Sequence, residues 1–263
     1  MDSESVALRV ISLNIRYDKP DPDDFNWRVR RSAIASFIKQ HSPDLIGTQE
    51  GKAHQLLDLH RLLPEYQSIG GDRTGKGTDQ HCAIFYNPKR LHCLKSEDYF
   101  LSETPEVSGS ITISWGNPLP RMTTWGIFAL KETPTQIALC NTHLDYNSAK
   151  SREKSAKLIC HYHAQSIPKK AYCFLSADFN DVPDSSPRQQ FREVLRDTLE
   201  NLPLNEQNTY HHFTGNATDP IDTIYYDPRV QLENVQIDRN NYDGVLISDH
   251  FPVIADFNID AQV

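Results

Sequence analysis

Several short segments of this chain put metal-binding or proton-moving side chains at the ends of strand-like runs. Asn14 closes one such run, with Arg16 just beyond it, and Gln49-Glu50-Gly51 closes a second. Asn141-Thr142-His143-Leu144-Asp145 and Ser176-Ala177-Asp178-Phe179-Asn180 close two more; Asp222 opens a late run, and Ser248-Asp249-His250 precedes the last. His143 with Asp145, and Asp178 with Asn180, are spaced i, i+2, which in an extended segment turns both side chains to one face. Strand ends gathered on one sheet edge would bring all of these groups together. Glu50, Asp178, Asn180 and Asp249 offer hard oxygen donors without a thiolate, a set that suits magnesium or manganese better than zinc. A divalent ion spreads the charge that builds on phosphate oxygens, and a histidine beside a carboxylate can take a proton from water. The chemistry to which this combination points is phosphoester hydrolysis. Singly, each residue has a plainer reading. A strand-end Asp or Asn forms turns, Glu50 could open a helix, and His143 or the Asp249-His250 pair could be structural or surface groups.

The elements that must carry these residues are legible in the periodicity. Ala7–Asn14 reads as a strand, and Lys19–Asn26 as a Pro/Asp-rich loop. Trp27–His41 has Ala33, Ile34, Phe37 and Ile38 at helical spacing and is stopped by Ser42-Pro43. Asp44–Gln49 is a second strand, and the leucines from Leu56 to Leu63 mark a helix closed by Pro64. Strands follow at Cys82–Tyr86, Met122–Leu130 and Ile137–Thr142, with a long loop, Ser102–Arg121, ahead of the second of them. Ala149–Gln165 reads as a helix, Tyr172–Ala177 as a strand and Ser186–Leu199 as a helix. Late strands fall at Ile221–Tyr226, Val230–Ile237 and Phe251–Phe257. With no repeat, linker or composition break, residues 1–263 read as one α/β domain.

Composition narrows the function. The chain is 38% hydrophobic and 24% charged, ordinary for a folded protein, and the 27 Lys and Arg against 35 Asp and Glu give a net charge of −8. That balance disfavours a grip on long nucleic acid, which needs a basic face, but allows a small phosphorylated ligand in a locally positive pocket. The acidic start and the absence of a long apolar run predict neither a signal peptide nor a membrane span. Five scattered cysteines without a Cys-x-x-Cys pair predict free thiols and a cytoplasmic location. Oligomeric state is left open by the sequence.

The motifs also resemble a known family. Leu13-Asn14-Ile15-Arg16, Thr48-Gln49-Glu50-Gly51, Asn141-Thr142-His143-Leu144-Asp145, Ala177-Asp178-Phe179-Asn180, Ile221-Asp222-Thr223-Ile224 and Ser248-Asp249-His250-Phe251-Pro252 occur in the order of the endonuclease/exonuclease/phosphatase superfamily, over residues 8 to 257. Leu101-Ser102-Glu103-Thr104-Pro105, and Pro120-Arg121 followed by Thr124-Trp125, resemble a bacterial subgroup that starts with Leu-Asn-Ile-Arg-Tyr. The resemblance implies a four-layered α/β sandwich, two mixed β-sheets face to face with helices outside and the site at one edge. It also implies roles. Glu50 would bind the metal, Asn14 would join the metal or phosphate shell, and Asp249 would be a second metal-side carboxylate. His250 would contact the phosphate or act as base, oriented by Asp222. Asp178 and Asn180 would position the attacking water and steady the transition state, and His143 would protonate the leaving oxygen. The family usually has Gly where Ala177 stands, which an ordinary β backbone would tolerate. For Arg16 and Arg121 the expected phosphate-binding role comes from chemistry alone, since a planar guanidinium fork suits phosphate oxygens. For Arg121 a loop salt bridge is the plain alternative. Tyr210-His211-His212-Phe213 reads as an aromatic packing segment that could also line a pocket.

The expected function is therefore a Mg2+- or Mn2+-dependent phosphoesterase acting on a small substrate, a sugar-phosphate-like monoester first. The alternative is a metal-dependent nuclease, such as a 3′-5′ exonuclease or an endonuclease, which would need a basic, aromatic-lined groove. A non-catalytic binding module is the third reading, opposed by the intact ligand types at every motif.

Overall fold

The computed structural model describes residues 5–261. Strand β1 (Ser5–Asn14) alternates its apolar side chains. Val6, Leu8 and Val10 enter one hydrophobic cluster, while Ile11, Leu13 and Ile15 enter another on the opposite face. Helix α1 (Trp27–His41), capped by the Asn26 side chain on the Arg28 N–H, covers that second face and returns the chain to β2 (Leu45–Gln49), parallel to β1. After α2 (Ala53–Leu62) come β3 (Gln67–Ile69) and β4 (Ile84–Tyr86). The second half begins with β5 (Leu91–Phe100), β6 (Met122–Leu130) and β7 (Gln136–His143). Helix α3 (Ala149–Ser166) then crosses over to β8 (Tyr172–Asp178), parallel to β7. The chain closes with α4 (Ser186–Arg192), β9 (Arg196–Asp197), β10 (Asp222–Tyr226), β11 (Gln231–Ile237) and β12 (Val253–Asp260).

Two six-stranded mixed sheets result, ordered β11-β12-β1-β2-β4-β3 and β5-β6-β7-β8-β10-β9. Three apolar clusters define four layers. Leu8, Val10, Leu45, Phe128, Leu139, Phe174 and Phe257 pack between the sheets. Phe37, Ile38 and Leu59 bury α1 and α2 against the first sheet, and Ala156, Ile159 and Phe191 bury α3 and α4 against the second. This is the expected four-layered sandwich. Each sheet has one parallel pair at its centre, so the carboxyl ends of β1, β2, β7 and β8 emerge at one edge. The register sets Asn14 opposite Gln49, His143 opposite Asp178, and Asp178 opposite Asp222.

Beneath that edge the sheets are tied by a buried polar network. Asn141 accepts from Gln49 Nε2 at 2.7 Å and Ser176 Oγ at 3.1 Å, and donates to the carbonyls of Thr48 and Ala83 at 2.8 and 3.0 Å. Gly47 permits the close approach. A Cβ there would lie 1.9 Å from Ser176 Oγ and 2.8 Å from Asn141 Oδ1. Gly47→Ala is expected to destabilise the protein by ~1–3 kcal/mol, the usual cost of overpacking, read as a lower denaturation midpoint. An unchanged midpoint would show that the network can shift aside.

Four elements differ most from expectation. β3 and β5 read as no strand in the sequence, because β3 has three residues and β5 is an edge strand whose middle is exposed and polar. The helix expected over Ser186–Leu199 stops at Arg192, where the chain turns into β9 to pair with β10. Asp197 fixes that turn, accepting from Arg188 at 2.8 Å and from Thr223 Oγ1 at 2.6 Å in a fully buried site. The last strand begins at Val253 rather than Phe251. Ala177 lies within β8 outside the left-handed region, so its methyl costs no backbone strain. All five cysteines are free; Cys82, Cys140 and Cys173 are buried, while Cys93 and Cys160 are partly exposed. Among the described residues no helix is long and apolar enough to cross a membrane.

Candidate active site

At the strand-end edge lies a cleft of about 590 Å3. Two strands deliver its residues by the same local device. Beyond β1, the Arg16 N–H donates to Asn14 Oδ1 at 2.9 Å; beyond β8, the Asn180 N–H donates to Asp178 Oδ1 at 3.0 Å. Both Arg16 (φ 56°) and Asn180 (φ 50°) take the left-handed conformation, as does Glu50 (φ 70°), whose Oε2 accepts the Tyr17 N–H at 2.9 Å. Such non-glycine conformations cost on the order of 1–3 kcal/mol each and persist where surrounding contacts impose them. The i, i+2 pair Asp178 and Asn180 is thus joined by a tight turn, not carried on one face of an extended strand. His143 and Asp145 separate altogether. His143 lines the cleft, whereas Asp145 is fully buried behind it, accepting from Arg121 Nε at 3.3 Å.

Arg16, Glu50, Arg121, His143, Asp178, Asn180, Asp249 and His250 line the cleft; Asn14 and Asp222 sit behind it and hold their neighbours. Asp178 is clamped, with Asn14 Nδ2 donating to its Oδ2 at 3.0 Å and His143 Nε2 3.3 Å away. Burial, and then the nearby Asp222 charge, lifts the Asp178 carboxyl to about 7. His250 Nδ1 donates to Asp222 Oδ2 at 2.8 Å, and Thr209 Oγ1 donates to the same oxygen at 2.6 Å. Burial alone would lower His250, but the charge and hydrogen bond of Asp222, with Asp178 and Asp249 nearby, raise it to about 10. His143 goes the other way. Burial, then Arg121, His250 and Arg73, push it well down, so its ring is neutral at pH 7. Arg16 pairs with Asp249 at 3.3 Å.

Asp178, Asp222 and His250 bring one ligand atom each within 4.8 Å of one another. A histidine protonated on both nitrogens and bonded to Asp222 is a poor metal ligand, so this trio is better described as an ion-paired proton-handling unit. The Glu50 side suits a hard cation. Glu50 lines the cleft and bonds the protein through Oε2 alone, and Asp249 lines the same cleft with a second carboxylate, while Asn14 Oδ1, behind them, is taken by the Arg16 N–H.

Tyr17, Lys52, Arg73, Asp79, Gln80, Leu119, Tyr146 and Ile221 also line the cleft and were not singled out from sequence. Tyr210 lies on His250 with ring centroids 4.8 Å apart, while His211 stacks on Phe251 and Phe213 on Phe25. The aromatic segment therefore divides between lining and packing. The long loop contributes Leu119 and Arg121 to the cleft. A second wall comes from Arg73, Asp79 and Gln80, on the glycine-rich loop between β3 and β4. That loop's length and its glycines at 70, 71, 75 and 77 were the signal available.

The family model described as the Endonuclease/Exonuclease/phosphatase family matches residues 11–250. No curated protein matches this sequence significantly. Among solved structures, an endonuclease/exonuclease/phosphatase family protein from Bacteroides thetaiotaomicron is 30% identical, with 98% of this chain and 99% of that chain covered and a TM-score of 0.88. A mannosyl-6-phosphatase from Bacteroides thetaiotaomicron VPI-5482 is 31% identical, covering 95% and 99% of the two chains with a TM-score of 0.86. The D. rerio TDP2 complexed with single strand DNA product, 19% identical over 95% and 98% of the chains with a TM-score of 0.74, shares the fold.

Proposed function

This chain belongs to the endonuclease/exonuclease/phosphatase family, and from that membership we propose a divalent-metal-dependent phosphoesterase that hydrolyses a small phosphorylated molecule, a sugar-phosphate-like monoester first, by attack of an activated water. The observation that carries this reading is the imidazolium of His250, buried on Asp222 and facing the same cleft as Asp178, Asn180 and Glu50. Asp178, its orientation fixed from Asn14 and Asn180, holds the attacking water and takes its proton. His250 Nε2–H and the Asn180 amide region meet the phosphate oxygens, where preorganised donors stabilise developing charge. Arg16 steadies the same group from the Asp249 side, and Arg121, held on Asp145, borders the rest of the substrate from the other wall. His143, neutral, hydrogen-bonds the leaving oxygen, which takes up the proton that Asp178 drew from the water as its bond to phosphorus breaks, so that the alcohol departs. Glu50, with Asn14 and Asp249, would hold Mg2+ or Mn2+, which when bound spreads negative charge on the phosphate. We read residues 1–263 as one catalytic domain, and its free thiols support a reducing, cytoplasmic setting.

The likeness to a mannosyl-6-phosphatase supports a sugar phosphate. So does the charge of −8, which repels a polyanion at range until salt shortens the Debye length to ~8 Å. The expected result is a higher kcat/KM on hexose phosphates than on any oligonucleotide of ~10 residues, compared at matched low and physiological salt. Efficient trimming of RNA or DNA at physiological salt, with sugar phosphates untouched, would replace this reading with the nuclease.

A further inference from the structure

We propose that Arg73, Asp79 and Gln80, with Arg121, form the leaving-group wall of the cleft and select a neutral, polyhydroxylated leaving group over one carrying a second phosphate. This rests on the phosphoesterase reading and deepens it. The wall is built, not a chance meeting of surface side chains. The carboxylate of Asp72 gathers its loop, accepting from the N–H groups of Thr78 at 2.6 Å, Asp79 at 2.7 Å and Lys76 at 3.0 Å. The Gly51 carbonyl accepts the His81 N–H at 2.8 Å, which fixes the loop relative to Glu50.

Arg73 is 9% exposed, yet it lines the cleft. Its Nη2 pairs with Asp79 Oδ1 at 3.0 Å. A guanidinium carries five N–H donors, so this pairing leaves others for a ligand acceptor. Charge then decides what kind of acceptor. Arg73 is balanced by Asp79, and Arg121 by Asp145, so neither arginine offers an uncompensated cation. A second phosphate would meet Asp79 across the same wall. A hydroxyl suits the pair better, because it can accept from a guanidinium and donate to a carboxylate at once. Gln80 adds both a donor and an acceptor.

Position supports the assignment. Arg73, Gln80 and Arg121 border a recess at the Glu50 and His143 end of the cleft, a recess that Arg16, Asn180, Asp249 and His250 do not line. A phosphate held near His250 and Asn180 would send its ester oxygen past His143 toward this wall. Tyr146, largely exposed with the Arg121 guanidinium 5.8 Å from its ring centroid, gives an apolar face for a sugar ring.

The test uses the full chain with Mg2+ and three probes: a hexose 6-phosphate, a hexose 1,6-bisphosphate and p-nitrophenyl phosphate. Arg73→Met and Asp79→Asn, each checked for an unchanged melting temperature, are expected to raise KM for the hexose 6-phosphate by ~10-fold or more, the scale of a lost charge-assisted hydrogen bond. Their kcat/KM on p-nitrophenyl phosphate should fall several-fold less than on the hexose 6-phosphate, because that probe has no hydroxyls to lose. The wild type should prefer the hexose 6-phosphate to the bisphosphate. Equal losses on hexose 6-phosphate and p-nitrophenyl phosphate, or a wild-type preference for the bisphosphate, would overturn the wall assignment while leaving the phosphoesterase standing. A wild type that cleaves none of the three would remove both.

Discussion

His250→Ala is expected to lower kcat by at least ~100-fold, with thermal stability and KM far less affected. The ring is 5% exposed and pinned from behind, with Asp222 Oδ2 receiving both His250 Nδ1 at 2.8 Å and Thr209 Oγ1 at 2.6 Å. With its acidity pushed down to a pKa of about 10, the ring stays cationic across the neutral range. A cation fixed before substrate arrives needs no reorganisation when charge builds on the phosphate, which is why its loss falls on kcat. Asp222→Asn should do less harm. An asparagine oxygen can still accept from Nδ1, so the ring keeps its orientation while losing part of the support for its proton. Phosphate release followed for both variants gives the ordering. If Asp222→Asn is as inactive as His250→Ala, orientation and protonation carry as much weight as the imidazole itself and the roles are misassigned. If neither variant loses rate, the cleft is not the site of hydrolysis.

Elements with a strong apolar period were readable from sequence, and those shaped by tertiary pairing were not. Trp27–His41 and Met122–Leu130 match α1 and β6 residue for residue, because the faces of both are set by side chains that must be buried. β5 escaped notice since Leu94, Lys95, Ser96, Glu97 and Asp98 present no alternation; its existence depends on β6 supplying hydrogen-bond partners along an edge. The short α4 ended early for a reason no local window contains, namely the pull of Arg188 and Thr223 on Asp197. In the cleft the same division holds. Strand-end motifs announced Asn14, Glu50, His143, Asp178, Asp222 and His250, since a strand end fixes where a side chain emerges. Left-handed turns at Arg16, Glu50 and Asn180 were hidden, because each depends on a side chain or backbone group reaching back to hold it. Arg73 and Asp79 were hidden more deeply. They lie on a loop whose path is set by Asp72 and by His81 on Gly51, contacts without any sequence period.

Removal of divalent metal is the other large effect expected, and the charge distribution in the cleft gives the reason. Glu50, Asp79, Asp178 and Asp249 line it with Asp222 close behind, and against them stand Arg16, Lys52, Arg73, Arg121 and the His250 imidazolium. Arg16 is already engaged by Asp249 at 3.3 Å. Arg73 and Arg121 are likewise engaged, by Asp79 and Asp145, so the cleft's own cations are largely offset by carboxylates, and a bound divalent ion would supply the excess positive charge that a phosphate dianion needs. Chelator-treated protein should therefore lose phosphoesterase activity and regain it with Mg2+ or Mn2+. Glu50 is the residue on which this should turn, since it lines the cleft and only its Oε2 is spent on the Tyr17 N–H. Glu50→Gln keeps the shape and an oxygen donor but removes the charge. It should cut kcat/KM by ~100-fold or more at sub-saturating metal and shift the Mg2+ titration to higher concentration. An independent readout is thermal. Mg2+ or Mn2+ that binds the folded state should raise the melting temperature of the wild type, and raise that of Glu50→Gln less. Activity that survives exhaustive chelation would remove the metal from the reaction, and an identical thermal response in both proteins would move its binding away from Glu50.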